Sequence, residues 1–457
     1  MPRYVRVRFD IVSQGVPGTS EILLDTRTHR YVSIDRAPPV SERHGFDGTR
    51  VWGTDASGFA TAETAPDSIA NYLQLAALFS GSGLQPSVAP IASRRYVLRW
   101  RGRSRGMIVA LDGRRRVAEA VQYNGPDAVR TFFRRYGRIG GVVVPTQIET
   151  RSAGGTWRGI VRTVEAPRAV TDSAFALPRP PRDADLDGVT TIPIDLRTDE
   201  IVVTIRLNDG PPLRMLFDTG ANLSLTPKAA RRVGLRLVGH GFTGGPGIGD
   251  VPERYATVRH VRIGRAVLHD LPCEVFDLGP VDDVDGLIGI EVLLRYAVRI
   301  DLSRRVLSLA RDARLLYSRG VSMPLMLSNA QPVVDGGVDR LRGRMLIDTG
   351  SSWYVDVMSP AVRRYGLVER YRARRPRQSA ELGGPLVEYQ ARAREVRLGP
   401  LAFANVPIQL AASTKGAFAE TAVLGNVGFE LLRACTMVFD VQRSRFWVDC
   451  KRMRRSR

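Results

Sequence analysis

The chain has 457 residues, 44% hydrophobic and 25% charged, with a formal net charge of +21. These proportions fit a folded globular protein of about three domains, and no run of about 18 apolar residues marks a membrane-spanning helix. The charge excess is carried by arginine and is scattered, with lysine only at Lys228, Lys415 and Lys451; lacking a recognition helix or zinc-finger pattern, it argues against a dedicated nucleic-acid binder.

Met1-Pro2-Arg3-Tyr4 runs straight into the alternating segment Val5-Arg6-Val7-Arg8-Phe9 with no charged-then-apolar leader. Either the protein is cytoplasmic or the true start lies upstream. Residues 1–176 read as antiparallel β with two helices. Period-two strands are expected at Val5 to Val12, Ser20 to Asp25, Arg95 to Trp100, Gly106 to Leu111, Val117 to Tyr123 and Trp157 to Val164. Pro66-Asp67-Ser68-Ile69 opens a helix toward Phe79, capped by Asp67 or Ser68. Pro126 to Tyr136 predicts a second, amphipathic through Val129, Phe132 and Phe133. Nothing in this portion carries a catalytic pattern; Asp47 and Asp55 sit among turn residues. Residues 177–187, opening Leu177-Pro178-Arg179-Pro180-Pro181, form a proline-rich linker.

Beyond the linker the chain repeats itself. Arg214-Met215-Leu216-Phe217-Asp218-Thr219-Gly220 recurs as Arg344-Met345-Leu346-Ile347-Asp348-Thr349-Gly350, Ala230 to Leu235 as Val362 to Leu367, and Val261-Arg262-Ile263-Gly264 as Val396-Arg397-Leu398-Gly399. The offset drifts only from 130 to 135, so order and spacing survive: this is a duplicated domain, with lobes at 188–316 and 317–457. Each copy places Asp-Thr-Gly after an apolar strand end. Glycine permits the sharp turn and brings backbone N–H groups to the carboxylate. Two such carboxylates in contact cannot both ionise, so they share a proton: one can deprotonate a water while the other protonates a carbonyl oxygen or leaving nitrogen.

An apolar-apolar-glycine motif follows each aspartate about 70 residues on, Leu287-Ile288-Gly289 and Val423-Leu424-Gly425, and each is followed by a hairpin bearing an aspartate, at Asp301 and Asp440. Glycine-rich tips lie between, with Gly245 and Gly247 in the first copy and Gly383 and Gly384 in the second; no Gly-Lys-Ser/Thr accompanies them, so a phosphate cradle is the weaker reading. Residues 188–450 resemble the retropepsin-like and pepsin-like aspartic proteases. The resemblance implies two tandem β-barrel lobes, catalytic Asp218 and Asp348 in turns made with Thr219, Gly220, Thr349 and Gly350, and flaps closing over an extended peptide or protein substrate. It calls for no metal and no cofactor. Because both lobes lie in one chain, a monomer is expected to be the active species.

The motifs Gly45-Phe46-Asp47-Gly48, Val51-Trp52 and Gly140-Gly141-Val142-Val143-Val144-Pro145 resemble the curved half-barrel with helices of LolA-type lipoprotein carriers. That resemblance implies a lipid or lipoprotein partner for residues 1–176 and an envelope setting, periplasmic or secreted. The rival to a peptidase is accordingly a non-catalytic envelope carrier whose lobes hold peptide without cutting it. Of the three cysteines, Cys435 and Cys450 flank a hairpin: a two-residue turn at Gln442-Arg443 sets the sulfurs opposite each other, whereas a turn one residue longer does not. A disulfide there would belong to an oxidising compartment. The five histidines and Cys273 show no metal-ligand spacing.

Overall fold

In strand Tyr4–Ser13, alternation sends Phe9 and Ile11 into the core while Arg8 and Asp10 face solvent. A register shift between Arg8 and Phe9 against strand Gly155–Glu165 lets Tyr4 share the buried side as well. The computed structural model to which these strands belong describes residues 2–63, 87–99, 106–124, 127–139, 141–196, 200–279, 283–317, 320–373 and 375–450. It is mainly β and divides into two units, Met1–Pro181 with Val238–Thr243, and Arg182–Leu237 with Gly244–Arg457. Among the described residues no helix is long and apolar enough to cross a membrane.

The first unit carries a 13-stranded sheet in which consecutive strands pair from Tyr4–Ser13 to Ala60–Glu63 and from Ser87–Ala92 to Gly155–Glu165, and Tyr4–Ser13 also pairs with Gly155–Glu165. Trp52 is fully buried beside Tyr4, Leu23, Val32 and Phe175, and its indole N–H donates to the Phe175 carbonyl at 3.0 Å. The helix expected over 126–136 is absent. Asp127–Ile139 is a strand, laddered on one side to Val117–Asn124 and on the other to Val142–Ser152. Val129, Thr131, Phe132 and Tyr136 suit a pleated surface, and two full ladders outweigh a short helical periodicity. The helix expected over 66–79 lies outside the described residues.

The second unit holds both copies of the sequence repeat, each with a sheet of its own, called here the first and second lobe. In the first lobe, strands Ala184–Asp185, Ala266–Phe276, Ser224–Leu225, Gly286–Gly289, Pro212–Asp218, Val202–Leu207 and Val251–Ile263 are neighbours in that order; Ala184–Asp185, read above as linker, is therefore part of this sheet. In the second, the order is Met326–Ser328, Gln331–Val338, Leu341–Ile347, Gly425–Val427, Val355–Val357, Leu401–Ala411, Gly384–Leu398 and Pro376–Glu381. A six-stranded sheet joins them: Val189–Pro193, Val306–Ala310 and Ala297–Asp301 from the first lobe continue into Cys435–Asp440, Arg445–Cys450 and Val321–Pro324 from the second. One apolar core runs through both, including Ile205, Phe217, Ile288 and Val298 with Ile347, Val427, Phe429 and Phe439. The repeated Ala230 to Leu235 segment begins in helix Pro227–Arg232, where proline opens the first turn and the Thr226 hydroxyl accepts from Ala229 N–H at 3.1 Å; helix Ser359–Arg364 is its counterpart.

Candidate active site

Each Asp-Thr-Gly turn leaves the end of a buried strand, Pro212–Asp218 or Leu341–Ile347. The threonines lock the turns together. Thr219 Oγ donates to the Ile347 carbonyl and Thr349 Oγ to the Phe217 carbonyl, both at 2.6 Å. Each hydroxyl in turn accepts from the opposite threonine's backbone N–H, at 3.0 and 3.1 Å. Both threonines are buried, so the four hydrogen bonds form in a low-dielectric setting and fix the spacing of the two aspartates.

The carboxylates meet across this lock. Asp218 Oδ1 accepts from Gly220 N–H at 2.7 Å and Asp348 Oδ1 from Gly350 N–H at 2.9 Å. A Cβ added to Gly350 would stand 2.3 Å from Asp218 Oδ2, and one on Gly220 would stand 3.2 Å from Asp348 Oδ1. Each carboxylate thus lies against the other lobe's glycine. Burial, the Asp348 charge and a hydrogen bond with Asp348 push the Asp218 carboxyl well above its ordinary range, against the pull of Gly220 N–H. A proton is therefore held between two carboxyls at pH values where an isolated aspartate has lost it.

Behind each turn runs a parallel strand. Phe217 pairs with Ile288 and Asp218 with Gly289, and a Cβ on Gly289 would come within 1.7 Å of the Asp218 carbonyl. In the second lobe Leu346 pairs with Asn426 and Ile347 with Val427, so the residue matching Gly289 is Gly428, not Gly425. Two hydrogen bonds show the same equivalence, Ile290 N–H to the Ala221 carbonyl and Phe429 N–H to the Ser351 carbonyl. The expected match of Val423-Leu424-Gly425 to Leu287-Ile288-Gly289 is therefore corrected by three residues: the second lobe uses Asn426-Val427-Gly428, and Gly425 matches Gly286. The buried polar Asn426 interrupts the apolar pattern on which the expectation rested.

Asn426 belongs to the site. Its side-chain N–H donates to Asp348 Oδ2 at 2.8 Å. Gln331 also escaped the motif reading; its Nε2 donates to the Gly220 carbonyl at 2.6 Å. Their only sequence signal is a polar residue inside an apolar strand or beside one. The glycine-rich tips meet through their backbones: Gly247 N–H donates to the Leu382 carbonyl at 2.9 Å, Gly249 N–H to the Gly383 carbonyl at 2.7 Å, and Ala417 N–H to the Gly245 carbonyl at 2.8 Å. Cys435 and Cys450 face each other in register and form a disulfide. The hairpin between them turns over four residues, Val441–Arg443 in a 3-10 turn and then Ser444 at φ 53°, rather than the two expected; the longer symmetric loop preserves the same pairing. Cys273 is a buried free thiol. Among the described residues no group of three or more His, Cys, Asp or Glu side chains is disposed to hold a metal ion.

No curated protein matches the chain. A solved aspartic proteinase from Irpex lacteus is similar at 12% identity and a TM-score of 0.39, covering 57% of this chain and 97% of that one. A family model described as aspartyl protease matches residues 203–292, the span that holds Asp218 and Gly289. The chain carries an aspartic-protease-like domain.

Proposed function

We propose that this protein is an aspartic endopeptidase that hydrolyses peptide bonds with water activated between Asp218 and Asp348. The observation that carries the reading is the mutual approach of the two carboxylates across the threonine lock, with Asp218 pushed up and Asp348 receiving two N–H donors. Asp218, pushed up, keeps its proton and serves as the acid, which leaves Asp348 as the base. Asp348 takes a proton from water as the oxygen bonds to the peptide carbonyl carbon, and Asp218 gives its proton to the carbonyl oxygen. Breakdown of the resulting gem-diol cleaves the C–N bond, with a proton passing to the leaving nitrogen. The meeting flap tips would exclude bulk water while the substrate backbone lies beneath them.

Both aspartates come from one chain, which supports a monomer as the active species. The Cys435–Cys450 disulfide supports an oxidising compartment, periplasmic or secreted. Asp218→Asn and Asp348→Asn, assayed separately on a casein digest at mildly acidic pH, should each abolish a cleavage that a statine-type inhibitor also blocks. Mixing the two inactive variants should restore none. Full activity in either single variant refutes the dyad, and rescue on mixing refutes the monomer.

A further inference from the structure

Two acidic clusters flank the dyad at matching positions in the lobes. In the second lobe a cross-strand row runs Leu346, Asn426, Asp356, Gln409. Leu346 stands two residues before Asp348, so alternation sets this row on the face that carries Asp348. Glu388, opposite Ala411, lies on the same face one step on, along the strand that begins at flap residue Gly384. The first lobe repeats the pattern with Leu216, Leu287, Ser224, Glu274 and then Glu253, opposite Phe276 on strand Val251–Ile263. Glu253 and Glu388 are thus counterparts, one on each flap strand.

These carboxyls are buried without cations. Glu253, Asp356 and Glu388 are 7%, 2% and 3% exposed. Although the chain carries a net charge of +21, none of the four acids makes an ion pair among the described residues. Their hydrogen-bond donors are neutral: Tyr255 OH donates to Glu253 Oε1 at 2.6 Å, Asn222 Nδ2 to Glu274 Oε1 at 3.2 Å, and Ser351 Oγ to Asp356 Oδ2 at 3.4 Å. Arg377, opposite Glu388 across the strand pair, is itself exposed. One oxygen on each flap glutamate, Glu253 Oε2 and Glu388 Oε1, has no hydrogen-bond partner. A buried carboxyl left this way must either keep a proton or receive a cation. Protonation is one solution: burial pushes both glutamates upward, Glu388 to about 7. A guanidinium or ammonium carried in by substrate is the other.

We infer that the site selects peptides bearing arginine or lysine on both sides of the scissile bond, one side chain entering each acidic cluster beneath the closed flaps. Strand spacing places Asp356 about 10 Å across and about 7 Å along from Asp348, a span met by a long basic side chain one or two residues from the cleaved bond. This rests on the peptidase reading, and the test separates the two. A peptide library digested by the wild-type chain should be cut in pools enriched for Arg or Lys on both sides of the bond. Replacing Arg by Leu on one side should lower kcat/KM at least about tenfold. Glu253→Gln and Glu388→Gln should each bring the Arg:Leu ratio near unity on one side only, the side differing between the two. Cleavage with no basic preference, or ratios unchanged in both variants, overturns the inference. If the wild-type chain cuts nothing in a dyad-dependent way, the peptidase reading fails and binding decides this one: labelled arginine-flanked peptides should bind the wild-type chain at least about tenfold tighter than leucine analogues, and equal affinity overturns it.

Discussion

Asn426 donates its side-chain N–H to Asp348 Oδ2, and Leu287 occupies the same register position behind Asp218. The duplication is thus unequal at the one point where inequality would divide labour in a symmetric pair. Asp348 receives two donors and Asp218 one, which biases the shared proton toward Asp218. Asn426→Leu gives the second lobe the side chain of the first. The amide stabilises negative charge on the coupled pair, so without it the acidic limb of the kcat/KM profile, which belongs to the pair, should move up in pH, with kcat lower by roughly tenfold. An unmoved limb would show that the amide only fills space.

The threonine lock predicts a stability effect. Thr219→Val removes a donor to the Ile347 carbonyl and an acceptor for Thr349 N–H, leaving both buried groups unpaired. At about 1–3 kcal/mol for each orphaned group, the loss should be about 2–6 kcal/mol in urea unfolding. Thr219→Ser keeps both hydrogen bonds and should lose only about 1 kcal/mol from the missing methyl. Equal losses in the two variants would mean that packing, not the hydroxyl, holds the turns.

The flap tips give a steric contrast. A Cβ at Gly247 would sit 2.4 Å from the Gly383 carbonyl carbon, so Gly247→Val should force the tips apart, raise KM and lower turnover. Gly384 has open space but a φ of +97°, so Gly384→Val should strain its own backbone instead. Both variants should stay folded, losing no more than about 3 kcal/mol of unfolding free energy, while losing at least about threefold in kcat/KM. Wild-type kinetics in both would show that these tips are not flaps.

The duplicated Asp-Thr-Gly turns were legible because their chemistry restricts residue identity. A short turn beside a carboxylate needs glycine, the interlobe lock needs a hydroxyl, and two copies in order reveal each other. Asn426 and Gly428 were not legible, because a parallel strand's register depends on its neighbour, and an apolar-apolar-glycine pattern three residues early satisfied the same composition. The strand at Asp127–Ile139 shows the same limit. Its apolar spacing suits a helix, and only the ladders on both sides, contributed by residues up to about 20 positions away in the chain, decide against it.

The buried carboxyls Glu274 and Glu388 should make the stability of the unliganded chain fall as pH rises, opposite to the usual behaviour of carboxylates. Burial first, then the neighbouring Glu253 charge, raises Glu274 to about 8; burial and then Glu381 raise Glu388 to about 7, with Arg377 opposing. In the unfolded chain both titrate near the ordinary glutamate value of 4.5. Between that value and 7 to 8 the folded state therefore holds protons that the unfolded state has released. Stability is full below about pH 4.5 and is lost as pH climbs through the folded values, by on the order of a few kcal/mol for the two groups together. Urea unfolding at about pH 5 and about pH 8 should show this loss, and a Glu274→Gln, Glu388→Gln double variant, which cannot release those protons, should flatten it. A wild-type chain as stable at about pH 8 as at about pH 5 would mean that these carboxyls are already ionised in the folded state and have found a cation there.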